Sequence, residues 1–277
     1  SQNTISLLHS QGEQEETDES KRLGSNPPLK TLASLSLGPI LSEIGSSTYG
    51  IVDAIWVGKS LGTQGMSASG SVFALVYLTH GFTFFISVAV NSQLGYLHGK
   101  KQISEIPNVL LDILRMAIFF GFLVPLILLP SAHSIMKLIG ISETNQKNGF
   151  LYLLPMVSAF IITSTLQFLS SIFQASGHSL KYGLIQFSIN VIDMLLFDPV
   201  MLLVFHTQIW GSSLATILAQ LCVLIILIVI YLKKDIITIP KDYKWFGKPS
   251  PHSYSTFKVG LSALIAQIAM TLPSVVI

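Results

Sequence analysis

Charge is what this chain has least of. Only 11% of its 277 residues are Asp, Glu, Lys or Arg, against roughly a quarter in soluble globular domains. Such a chain cannot cover a water-facing surface with charge, so lipid must face much of it. Cysteine is almost absent: the single Cys222 lies in an apolar run, which excludes a disulfide framework. No Asn-x-Ser/Thr sequence occurs, so glycosylation gives no hint of sidedness. The first 30 residues begin with Ser1 and hold no apolar core segment, so no cleavable signal peptide is visible. A Gly-rich phosphate loop is missing too. Gly58-Lys59-Ser60 has Asp53 where such a loop needs glycine, and an ATP-driven pump is unsupported. No Cys/His cluster has metal-ligand spacing. The net charge of +2 gives no reason to expect nucleic acid as a partner. No enzymatic activity and no cofactor are expected.

Long apolar segments are what the chain has in quantity. They run over roughly 32–57, 70–97, 108–130, 150–174, 182–206, 210–232 and 257–277. A helix needs about 20 residues to cross the hydrocarbon core, and each segment meets that. Their hydrophobicity is all-round rather than confined to a stripe, which excludes coiled coils and surface helices. Alternating strand-length segments are absent, so a membrane β-barrel is excluded. The expected fold is an all-α, polytopic membrane helical bundle. Residues 1–30 are polar, with an acidic cluster between Glu13 and Glu19, and read as a disordered cytoplasmic tail. Residues 31–232 form a six-helix unit, 233–256 a Lys- and Pro-rich linker, and 257–277 a seventh helix. The last helix stops at Ile277 without a polar flank. This reads as a truncated chain holding one six-span unit and the first helix of a second.

Basic residues set orientation in membranes. The tail and alternate loops hold twelve Lys and Arg, the opposite loops only Lys59, Lys137 and Lys147. That bias places the N-terminus in the cytoplasm, and the plasma membrane is the expected location.

Charges at membrane depth cost about 2.5–3.5 kcal/mol each on insertion scales, so each needs a reason. Asp112 and Arg115 stand three apart on one helical face and neutralise one another; this pair reads as structural. Glu43, Asp53, Asp193 and Asp198 have no basic partner at comparable depth. A lone carboxylate in hydrocarbon can take a proton, because desolvation disfavours its charged form, or hold a cation. A group that alternates between the two is an exchange site, the physical basis of antiport. Asp53 is the leading candidate, with Tyr49 and Ser46 one and two turns before it on the same face. Asp198 precedes Pro199, whose missing N–H frees a carbonyl that needs a partner or a cavity. At α-helical pitch Asp193 and Asp198 lie about 140° apart and are not expected to face one site together. Asn190 and Asp193 can cooperate. Glu43 follows Pro39 by four residues and faces either a cavity or another helix. Pro39, Pro125, Pro155 and Pro199 all fall inside spans, as bent helices around a cavity would have them.

The chain resembles a known family. Tyr49-Gly-Ile-Val-Asp53-Ala-Ile-Trp-Val-Gly58 with Leu61-Gly62 looks like the first-span signature of the multidrug and toxic compound extrusion (MATE) family. Gln93-Leu-Gly95-Tyr-Leu-His-Gly99-Lys100-Lys101 is similar to its second-span ending. Gln174-Ala-Ser-Gly177 resembles its fourth-span ending. Asp198-Pro199 followed by Trp210-Gly211-Ser-Ser-Leu-Ala215-Thr216 matches its fifth-to-sixth-span pattern. The resemblance covers about 35–232. It implies a six-helix N-lobe of a twelve-helix, two-lobed transporter, with the C-terminal lobe missing beyond the seventh helix. It also implies efflux of organic cations or drugs in exchange for protons or sodium as the coupling ion. Asp53 stands where the family has its first-span aspartate, Asp198 where it has its fifth-span aspartate, and Thr216 where a sixth-span threonine lines the same pocket. Met194 stands where Asn is common, which favours protons over sodium.

Three rivals are weaker. A seven-helix receptor has an outside N-terminus and usually a disulfide. A membrane aspartyl protease needs Gly-x-Gly-Asp, which neither Asp53 nor Asp198 offers. A lipid-linked oligosaccharide flippase of similar fold would favour a basic cavity, whereas the buried charge here is acidic.

Overall fold

The computed structural model describes residues 27–234 and 249–271, together with Trp245 and Gly247. Most of the expected tail and the middle of the expected linker lie outside the described residues. No strand occurs among the described residues. Eight α-helices follow in order: α1 Pro28–Ser71, α2 Phe73–Gly99, α3 Ile106–Leu138, α4 Glu143–Ser158, α5 Phe160–Ala175, α6 Ser179–Ile192, α7 Trp210–Lys234 and α8 Ser253–Thr271.

Among the described residues, four stretches are long and apolar enough by themselves to span a membrane: Phe73–Gly99, Ile103–Leu138, Ser179–Val204 and Trp210–Lys233. The bent pair α4–α5 makes a fifth if taken as one span. The first and seventh expected segments are helical as well, as α1 and α8; Glu43, Asp53 and the Ser/Thr/Gly-rich run 45–50 dilute the apolar character of α1, and α8 is described only as far as Thr271. The fourth expected span is broken by 50° between Ser158 and Phe160, just after Pro155, as its ring predicts. At 44 residues, α1 is far longer than a bilayer crossing needs. It is interrupted at Gly62, whose φ of 65° and ψ of −158° are non-helical and accessible almost only to glycine.

Packing follows small residues. A Cβ at Gly38 would collide with the backbone of Ser179, and one at Gly183 with that of Gly38. The Ser179 hydroxyl donates to the Leu35 carbonyl at the same crossing. Gly45 meets Phe187 and Asn190 about two turns further along α1. Lacking side chains, these positions let the α1 and α6 backbones approach closely, the usual basis of helix association in lipid. The interior of α2, α3, α5 and α7 is apolar, centred on Phe85, Phe120, Phe160 and Phe168; Phe85 and Phe120 meet edge to face at 5.0 Å. Large apolar side chains on the outer faces, such as Phe122, Leu126, Leu195 and Ile226, are exposed, as lipid-facing positions must be.

The approach to α8 is tied to the six-helix unit. Asp112, 3% exposed, accepts from Arg115 at 3.1 Å, from the Ser250 N–H at 2.8 Å and from the Ser253 hydroxyl at 2.6 Å. Glu105 pairs with His252 at 2.7 Å. The pair expected to neutralise itself therefore also holds the start of α8, which then packs along α2.

Candidate functional site

The site forms where α1, α6 and α7 converge, and it begins with a fault in a helix. Pro199 cannot donate a backbone hydrogen bond. Around it the chain after α6 winds as two π turns, Asp193–Phe197 and Val200–Val204. In a π turn the bonds run i→i+5, one residue wider than in an α-helix. The Asp198 N–H accordingly donates to the Asp193 carbonyl. Residues five apart are thereby brought back towards one side. Both carboxyls point inward, with Asp193 1% and Asp198 0% exposed. This corrects the expectation that the two aspartates face different sites. That expectation assumed 100° per residue through a segment that is not α-helical.

Asp53 reaches the same place from α1. Its Oδ1 accepts from the Ser212 hydroxyl of α7 at 2.7 Å. One turn earlier, Tyr49 and Thr216 share a hydrogen bond of 2.9 Å, and Thr216 also donates to the Ser212 carbonyl at 3.3 Å. Asp193 lies against Tyr49 and Thr216 and within electrostatic reach of Asp53. Asp198 lies within reach of both. Among the described residues neither oxygen of Asp198 has a hydrogen-bond partner, and Oδ1 of Asp193 lacks one too. Among the described residues no Lys or Arg pairs with any of the three. Trp56 closes one side, donating from Nε1 to the Met194 carbonyl inside the first π turn at 3.0 Å. The three carboxyls do not converge as a metal-ion ligand set.

Asp53, Tyr49, Asp193, Asp198 and Thr216 are thus brought together. Asn190 lies a turn away, its Nδ2 3.5 Å from the Ser46 hydroxyl. Glu43 is not part of the cluster. It is exposed on the far side of α1, about 200° from the Gly45 contact at α-helical pitch. That side borders an open groove of about 780 Å³ lined by Ser47, Gly50, Ile51, Ala54 and Ile55, with Lys59 at its edge. Lys59 holds its ammonium over the Trp56 ring, 5.5 Å from the centroid.

Two members escaped the sequence reading. Ser212 stands four residues before Thr216 and so on the same face of α7, a signal that was there to use. Tyr152 of α4 lies within electrostatic reach of all three aspartates and packs on the small cluster of Val57, Leu202 and Ile209. Nothing in the α4 pattern sets it apart from its neighbours.

The site is thus three carboxyls, two of them fully buried and none with a basic partner among the described residues, in a helical membrane bundle. Comparisons with known proteins show the family. The sequence model of the MatE family matches residues 39–200, more than half of the chain, and the chain belongs to that family. It is 24% identical over 253 residues to the multidrug export protein MepA of Staphylococcus aureus (strain bovine RF122 / ET3-1), covering 88% of this chain and 54% of MepA. Its fold superposes on an outward-facing multidrug resistance MATE transporter of the MOP superfamily with a TM-score of 0.82. That match is 18% identical and covers 91% of this chain and 55% of the other. A MOP superfamily transporter from Pyrococcus furiosus gives a TM-score of 0.81 at 18% identity, covering 91% and 55%. The chain spans about half the length of the relatives it matches.

Proposed function

We propose that this chain forms the ion-coupling half of a secondary transporter that exports organic cations from the cytoplasm in exchange for protons. The observation that carries the reading is Asp198: both carboxyl oxygens are buried without a hydrogen-bond partner among the described residues, beside two further carboxyls. An isolated ionised carboxylate is strongly disfavoured there, and protonation is its simplest relief. Three acids in mutual reach cannot all be charged at once, so arrival of one proton alters the other two. Tyr49, Thr216 and Ser212 supply hydroxyls that can orient a shared proton. Protons are favoured over sodium because Met194, at the position where an amide would add a neutral oxygen ligand, supplies only an apolar side chain, while its carbonyl is occupied by Trp56.

The cargo reading is supported by the acidic character of the cluster and by the name of the MepA relative. The open groove beside Ser47 and Ile51, with Glu43 one turn beyond Ser47 on the same side of α1, offers a largely apolar face for an amphiphilic cation. The charge bias of the loops supports a cytoplasmic N-terminus, and drug export fits the plasma membrane. A second lobe of the same protein is the partner that would close the groove.

The test uses the purified chain in nanodiscs. Trp56 is bonded to the π turn that carries Asp193, so its fluorescence should step on acidification. Asp198→Asn and Asp193→Asn should lose the step. A step that moves with sodium concentration at fixed pH would transfer the coupling role to sodium. In a two-lobed version, Asp53→Asn and Asp198→Asn should each abolish efflux of ethidium driven by a pH gradient; undiminished efflux in both would refute the assignment.

A further inference from the structure

Pro199 leaves one carbonyl of the first π turn without a backbone donor, and a side chain from α1 answers it. In α-helical register the Met194 carbonyl would accept from the N–H of Asp198, but that N–H goes to Asp193. In π register it would accept from residue 199, which is proline and has no N–H. Both patterns strand the Met194 carbonyl, and at membrane depth it needs a donor. Trp56 supplies one from Nε1 at 3.0 Å. The indole bond and the wide turn therefore depend on one another. With Trp56 bonded, Met194 is satisfied from outside its helix and Asp198 is left to bond Asp193. Without it, the donor remaining for Met194 within the helix is the Asp198 N–H. Its return restores α-helical pitch and turns Asp193 about 140° from Asp198.

Trp56 also links the acid side of α1 to its groove. Residues three apart on a helix stand about 60° apart around its axis. Asp53, Trp56 and Lys59 therefore lead round α1 in two such steps, from the acid cluster to the groove. Asp53 accepts from Ser212 in the cluster. Trp56 packs on Val57, Leu202 and Ile209, and Leu202 belongs to the second π turn. Lys59 lies at the groove edge and holds its ammonium over the indole, 5.5 Å from the centroid. Among the described residues no carboxylate pairs with Lys59, so the negative face of the ring is what holds the ammonium there. Among the described residues Lys59 is also the one charged side chain lining the groove, whose other walls include Ile51, Ile55, Met66 and Phe73.

We propose that Lys59 is a tethered stand-in for the cargo cation, and that Trp56 is the positioning residue that converts its displacement into a change of register at the three aspartates. The proposal rests on reading the groove as the cargo face and the cluster as a proton-exchange site. An organic cation entering the groove repels the ammonium and competes with it for the indole face. The incoming cation draws the indole towards the groove and off the Met194 carbonyl. The Asp198 N–H then returns to that carbonyl, and Asp193 swings away. Three carboxyls cannot all be charged while together; once parted they can, so a proton leaves for solvent as the cation arrives. That is the sign an antiporter requires. The titratable groups facing the cluster are Asp53 and Tyr49 from α1, Tyr152 from α4, and Asp193 and Asp198 from the π segment.

Tetraphenylphosphonium, a lipophilic cation, is the probe. Its binding to the purified chain in nanodiscs is measured by equilibrium dialysis with empty nanodiscs subtracted, and proton release by an indicator dye in weak buffer. The wild type should release protons as the probe binds. Lys59→Met keeps an apolar stem and removes the competing charge, and should bind the probe about two- to fivefold more tightly. Misfolding cannot produce that gain. Lys59→Arg, which restores the cation, should bind as wild type. Trp56→Phe keeps a ring and removes the indole N–H, and should release few or no protons per bound probe. Binding by Lys59→Met no tighter than wild type, equal tightening in Lys59→Arg, or wild-type release per bound probe in Trp56→Phe overturns the proposal. A wild type that binds the probe and shows the acid-induced fluorescence step, yet releases no proton on binding, overturns it and leaves the exchange site standing. A wild type that binds no probe overturns the groove reading and this proposal together.

Discussion

The backbone N–H of Asp198 donates to the carbonyl of Asp193, five residues back, and that one bond gathers two buried carboxyls on one side of a helix. An α-helical bond to residue 194 would have rotated them apart. The π turn is therefore part of the site in the same sense as the side chains, in keeping with the frequency of such turns at functional positions.

Restoring α-helical pitch tests this directly. Pro199→Ala supplies the missing backbone N–H and should let 193–198 wind as α-helix, turning Asp193 about 140° away from Asp198. We expect loss of the acid-induced Trp fluorescence step, with the protein still eluting as a single species. A Pro199→Ala variant with the wild-type step would show that the turn is incidental.

Asp198 should be a burden on stability. Replacing it by Leu removes a buried carboxyl that lacks a described partner and keeps a similar shape. The gain should be about 1–3 kcal/mol, the usual scale for an unsatisfied buried polar group, read as a higher melting temperature in detergent. Exchange would be lost at the same time, the common opposition of stability and activity. A lower melting temperature would mean that Asp198 is well satisfied.

Asp112→Asn should act quite differently. It weakens the tie to Arg115, Ser250 and Ser253 together, at a cost of about 1.5–3 kcal/mol for lost charge-assisted bonds. The signature is faster amide exchange at Ser250 and through the first turn of α8, with the Trp fluorescence step retained.

The crossing of α1 and α6 has no room for a side chain. Gly38→Val or Gly183→Val places atoms inside the opposing backbone, and either should cost at least about 2 kcal/mol by overpacking. Reduced yield and aggregation on size-exclusion chromatography would show it. Gly50→Ala, where the added methyl meets nothing, is the matched control and should behave as wild type.

Much of the site could be read from spacing. Asp53 and Tyr49 follow from one-turn periodicity and the cost of charge in lipid, Thr216 only from the family resemblance, and the structure brings all three together. Asp193 was legible as a lone carboxylate, but its place beside Asp198 was not, because helical pitch was taken as constant across Pro199. Glu43 was left facing either a cavity or another helix by its distance from Pro39; Gly38 and Gly45 fix the face of α1 that meets α6 and leave Glu43 on the groove side, outside the acid cluster. Tyr152 was hidden because its membership depends on how α4 meets α7, which no local pattern encodes. Helix positions were clear throughout, but the polarity of α1 made it the least obvious span even though it carries the leading acid.

Asp112 has a wider consequence. The same carboxylate answers Arg115 on its own helix and the first residues of α8. Sliding α8 away would leave the carboxylate with Arg115 while removing two of its donors, so displacement of the α8 start is opposed by charge-assisted bonds. Such a joint is a latch rather than a hinge.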